Sequence, residues 1–129
     1  MKERKEKFFN IKVDAKSALP VYEQIKRAIK LAILSGHLKE NDRLMSLREM
    51  ALKLKVNPNT IIKVYYQLEV EGFIYSRPGA GYFVKLDRRK IQKEKRKLLE
   101  GITGEYISQV IKLGYSLEDM IRELSRNAR

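Results

Sequence analysis

From Val21 onward, apolar residues recur at Ile25, Ala28, Ile29, Ala32 and Ile33, the spacing of a helix that buries one face. The pattern predicts a helix from Pro20 to about Ser35. Pro20 suits the first turn, where a missing N–H has no partner to lose, and Gly36 suits the C-terminal cap. Lys26, Arg27 and Lys30 fall off the apolar stripe and make the other face basic. Upstream, Phe8 to Asp14 alternates only in part and predicts a strand or an extended arm within the N-terminal segment 1–19.

After the turn KENDRLM, Ser46 and Glu49 stand at the spacing of a capping box, and Leu47, Met50, Ala51 and Leu54 supply the buried face of a second helix, Ser46 to Leu54. Asn57 and Pro58 repeat the start signal, as N-cap and first helical residue, for a third helix reaching Gly72. So few residues separate these two helices that they must cross steeply, as in a helix-turn-helix. From Phe73 the period changes: FIYS, the loop RPGAG and YFVK predict a small hairpin. Beyond Leu86 a charged run leads into Leu98, Leu99, Ile102, Tyr106, Ile107, Val110, Ile111 and Leu113, the helical spacing of a long helix from about Asp87 to Leu113. Gly101 and Gly104 weaken it unless they admit a close helix contact. A last helix starts at the N-cap Ser116 and buries Leu117, Met120, Ile121 and Leu124.

The expected fold is therefore mainly α with a small β-wing. A winged helix-turn-helix domain occupies residues 1–86, and a two-helix dimerisation region occupies residues 87–129. Charge narrows the partner. Against 28 Lys and Arg stand 16 Asp and Glu, a net +12, which favours a polyanion: nucleic acid first, an anionic membrane surface second. No apolar run approaches the roughly 20 residues of a spanning helix, so no membrane partner is expected and the location is read as cytoplasmic. With no Cys, one His and no phosphate-loop, dinucleotide or zinc spacing, the sequence predicts no catalytic residues, no metal and no cofactor. His37, in a helix-ending turn, reads as a cap or an exposed side chain.

Candidate chemistry lies on the third helix. A buried stripe of Ile61, Val64, Tyr65 and Leu68 turns Asn59, Ile62, Lys63 and Tyr66 outward, with Asn57 and Thr60 near the N-terminal end. Amide, ammonium and apolar groups together suit base edges in the major groove: Asn pairs with adenine, Lys donates to guanine or phosphate, and Ile62 meets a thymine methyl. Ser46, at a helix N-terminus, marks a phosphate site or a simple cap. Arg48 lies off the second helix's stripe, within reach of a base edge or phosphate. In the hairpin, Arg77 and Lys85 flank a tip of Pro78, Gly79, Ala80 and Gly81 slim enough for a minor groove, although the glycines also serve turn geometry.

The stretch Pro20 to Val84 carries the phrases YEQI, AILSG, DRL-x-S-x-RE-x-A, V-x-x-NT, Y-x-x-LE-x-EG and R-x-G-x-G-x-FV in one order. It resembles the DNA-binding domain of the GntR family of bacterial transcription regulators. The resemblance implies DNA contacts from Arg48, Asn57, Asn59, Thr60, Ile62, Lys63 and Gly79. Two positions depart: Met45 replaces the usual Pro, and Pro58 stands where many members carry a base-reading Arg, which shifts readout toward Asn57, Asn59 and Lys63. The NPNT version, with a short helical tail, is similar to the YtrA-like subfamily, whose tail dimerises. The tail's own residues agree. Leu98, Ile102, Tyr106 and Val110 form one seam and Leu99, Ile107 and Ile111 another, more apolar surface than the final helix, with Leu117 and Ile121, can cover.

The expectation is thus a homodimeric, sequence-specific regulator, acting as a repressor on a palindromic double-stranded DNA operator. Binding without sequence preference, or service as a protein-contact module, is the competing reading. The tail is too short for a ligand pocket of ordinary size, so a small-molecule effector has no evident site.

Overall fold

The computed structural model describes residues 11–128. In chain order these form α1 Val21–Leu34, α2 Leu47–Leu54, α3 Pro58–Val70, β1 Ile74–Arg77, β2 Gly81–Val84, α4 Arg88–Lys112 and α5 Leu117–Asn127. The mainly helical fold with a small antiparallel wing is the one the periodicity predicts. The chain divides into two compact units, the first ending at Ile91 and the second starting at Gln92.

In the first unit α1 and α2 pack against α3, which meets β1. Ile25, Ile29 and Ile33 of α1, Met50 and Ala51 of α2, and Ile61, Val64, Tyr65 and Leu68 of α3 share one core with Phe73, Ile74 and Val84. The Tyr65 hydroxyl donates to the Met45 carbonyl at 2.8 Å, and burial pushes its phenol well above the usual range, so it stays a neutral donor. Local signals set the helix ends. Pro20 stands just outside α1 as its N-cap, with extended ψ of 148°, rather than in the first turn, and its carbonyl accepts from Glu23 and Gln24. Gly36, at φ +86°, follows the end of α1. The helix expected to reach Gly72 stops at Val70, with Glu71 as its C-cap.

Three further features differ from expectation. Ile11–Asp14 forms no strand; Ile11 and Val13 lie partly buried against the core, while Phe8–Asn10 fall outside the described residues. The segment read as a plain turn also pairs with the wing. Asn41 N–H donates to Val84, Val84 N–H to Asp42, and Leu44 N–H to Tyr82, with Arg43 bridged antiparallel to Phe83. Finally, the basic face of α1 is partly neutralised inside the unit, where Lys26 and Lys30 pair with Glu71, the latter at 3.0 Å.

The Glu71 carboxyl gives that cluster a pH dependence. Burial pushes the Glu71 carboxyl up, but hydrogen bonds and charge from Lys26 and Lys30 outweigh it and hold the group below its usual 4.5. A carboxylate depressed in the folded state contributes stability above its unfolded pKa and loses it as pH falls through the folded one. Thermal melts should therefore show Glu71→Gln less stable than the parent near about pH 7, with the gap closing in acid. A gap constant across pH would contradict this account.

In the second unit, a reciprocal capping box of Ser116 and Asp119 starts α5. Met120 is the one buried side chain among the described residues there. Leu98, Leu99, Ile102, Ile111, Leu117, Ile121 and Leu124 are 44–68% exposed. Tyr106 and Val110 are half-buried, lining a cleft of about 360 Å³ with Leu113, Tyr115 and Met120. That volume falls at the small end of ligand pockets. Gly101 and Gly104 lie within α4, and among the described residues a Cβ on either would meet nothing within 4 Å. No contact inside the unit therefore requires them.

Candidate nucleic-acid interface

Two capped helix starts frame the candidate site. At α2 the Ser46 hydroxyl accepts from Glu49 N–H at 3.1 Å, and the Glu49 carboxylate accepts from Ser46 N–H. The cap thus occupies Ser46 locally, while Arg48, two residues on, is exposed. At α3 the Asn57 side-chain oxygen accepts from Asn59 N–H at 2.8 Å. This ties one lone pair of the Asn57 amide to the helix and leaves Asn59 the less encumbered amide of the two.

The α3 stripe behaves as its spacing requires. Ile61, Val64, Tyr65 and Leu68 have no exposed surface, and the opposite side presents Asn59, Ile62, Lys63 and Tyr66, with Ile62 at 49% and Tyr66 at 65% exposure. Thr60 is half-buried near the helix start. The Lys63 ammonium lies 3.8 Å from the centre of the Tyr22 ring on α1, a cation–π contact that restrains an otherwise mobile side chain. Sequence reasoning missed Tyr22, because the two residues lie far apart in the chain and only the packing of α1 on α3 joins them.

In the wing, Arg77 pairs with Gly81, and Pro78–Ala80 close the loop. Arg77 does not extend freely: its guanidinium lies 4.3 Å from the centre of the Phe83 ring. Gly79, at φ +75°, is exposed at the tip with open space where a Cβ would stand. Among the described residues no group of His, Cys, Asp or Glu is arranged to hold a metal. No helix among them is long and apolar enough to cross a membrane.

Residues 21–84 match the family described as bacterial regulatory proteins, gntR family. The transcriptional repressor YtrA of Bacillus subtilis is 34% identical over 129 residues, covering 92% of this chain and 95% of that protein. This chain belongs to the GntR family. A GntR family transcriptional regulator from Listeria monocytogenes has the same fold, with a TM-score of 0.76 at 34% identity over 88% of this chain and 99% of its own. A solved structure of AraR(DBD) in complex with operator ORE1 covers 59% of this chain and 93% of its own, with a TM-score of 0.50 and 29% identity. The GntR winged helix-turn-helix and the likeness to YtrA agree with the resemblance carried by the NPNT phrase and the short tail.

Proposed function

We propose that this protein is a cytoplasmic, sequence-specific DNA-binding transcription regulator, a repressor that grips a palindromic operator as a homodimer. The observation that carries the reading is the outer face of α3. Four fully buried residues turn an amide, an ammonium, an isoleucine and a tyrosine to the outside, a mixture suited to base edges and poorly suited to solvent. The likeness to AraR(DBD), solved on an operator, supports the same use of the fold.

In this mechanism two copies of α3 enter successive major grooves about 34–36 Å apart, and the wings cover flanking minor grooves. Asn59 and Lys63 read bases, Ile62 meets a thymine methyl, and Asn57 and Thr60 contribute from the helix start. Ser46 and Arg48 hold backbone phosphate, while Arg77 and Gly79 meet the minor groove. Residues 87–129 join the two copies through Leu98, Ile102, Leu117 and Ile121, which are exposed, together with the half-buried Tyr106 and Val110. Occupation of the operator blocks polymerase. No cofactor or catalytic residue takes part.

Substituting Ala for Asn59 or Lys63 should cost about 1–3 kcal/mol of operator binding and relax preference at the contacted base. Substituting Ala for Arg88 or Arg89, at the exposed start of α4, should weaken every duplex alike. Binding isotherms on operator and random duplex test this division. Equal losses on both duplexes for both pairs of variants would contradict it and favour binding without sequence preference.

A further inference from the structure

A wing tip of Pro78, Gly79 and Ala80 has no bulky side chain with which to hold its own shape. Within the hairpin, Ala80 N–H donating to the Arg77 carbonyl at 3.0 Å closes the turn, and fixing the tip against the rest of the domain takes a further tie from outside. The structure supplies one from Arg43. Its backbone pairs with Phe83 on β2, and its Nε–H donates to the Ala80 carbonyl at 3.0 Å, a charge-assisted bond across the base of the tip. The anchor of that segment is itself fixed, because the Tyr75 hydroxyl donates to the Asn41 side-chain oxygen at 2.6 Å.

Gly81 completes the arrangement. At φ +113° it adopts a conformation that favours glycine, and a Cβ there would stand 3.4 Å from Arg43 Nε. That is ordinary van der Waals contact, so the backbone conformation, rather than room for the arginine, favours glycine here. At the other root of the tip the Arg77 guanidinium lies on the Phe83 ring, while its backbone carbonyl accepts from Ala80 N–H at 3.0 Å, so the Ala80 carbonyl is left to Arg43.

We propose that Arg43 is a positioning residue for the wing: by clamping the Ala80 carbonyl it sets the register of the tip and hence base preference in the operator's flanking minor grooves. The proposal rests on the operator-binding reading above. Arg43 acts through the tip and not as a phosphate ligand, which gives its removal a distinct signature.

Arg43→Ala should bind the operator roughly tenfold more weakly and lose its preference between A·T and G·C pairs in the flanks. Discrimination at the central bases and the dependence of log K on log salt should stay as in the parent, with the melting temperature measured beside them. A drop of about one in the salt slope with flank preference intact would make Arg43 a phosphate contact and overturn the proposal. Losses uniform over all sequences would overturn it too, as a stability effect alone. Should Arg43→Ala fail to fold, Tyr75→Phe carries the test: flank discrimination falls while central discrimination holds, and unchanged flanks count against the proposal. If the parent protein itself cannot distinguish a selected site from random duplex, the operator-binding reading fails and this proposal fails with it.

Discussion

Replacing Ile102 and Ile121 by Asp is expected to turn the protein into a monomer and to weaken operator binding roughly 10²–10⁴-fold. Both side chains lie on the helices of the second unit and are 68% and 55% exposed, so the substitutions remove little that one chain buries. In a dimer the same positions would be desolvated, and a carboxylate there has no partner to offset the cost of leaving water. Each α3 would keep its contacts with a half-site. The loss would come from the link that makes the second half-site contact intramolecular. Sedimentation at micromolar concentration and binding isotherms on the full operator measure the two effects together. A variant that stays dimeric, or a monomer that binds as tightly as the parent, would contradict the assigned role of this region.

Phe73→Ala should cost about 3–5 kcal/mol of folding stability, a large share of the roughly 5–15 kcal/mol typical of a whole domain. Phe73 joins α3 to the wing and is 1% exposed. Its N–H donates to Leu68 and its carbonyl accepts from Lys85, so the backbone holds the ring in place from both sides. The Lys30 and Lys90 ammonium groups lie 5.0 and 5.1 Å from the ring centre. Truncation leaves a cavity and removes the surface both cations lie on. Urea denaturation measures the cost. Leu52→Ala, at a position 73% exposed, should stay within about 0.5 kcal/mol and serves as the control. A loss below about 1 kcal/mol for Phe73→Ala would contradict the placement of the core.

What could be read from the chain follows the range of the interactions involved. Ser46 with Glu49, Asn57 with Pro58, and Ser116 with Asp119 are start signals written within four residues, and each opens a helix in the structure. The stripe of Ile61, Val64, Tyr65 and Leu68 made the outward face of α3 legible before any coordinates, because helical geometry alone turns the intervening residues away. What escaped were meetings between distant segments. Arg43 reaches Ala80, Lys63 reaches Tyr22, and Glu71 gathers Lys26 and Lys30, and none of these pairs shares a local pattern. The short pairing of Asn41–Leu44 with β2 was equally hidden, since four residues with one αL turn carry no strand period. Lys26 and Lys30 read only as a basic outer face because an internal partner can be recognised only once α1 and the end of α3 are packed.

Selection of bound sites from random duplex DNA, followed by competition of the selected site against random duplex, tests the central claim most directly. A dimeric regulator should enrich an inverted repeat with half-sites about 10–10.5 base pairs apart, centre to centre, and prefer it by at least ~10³ at physiological salt. No enriched motif, or equal affinity for both duplexes, would contradict it.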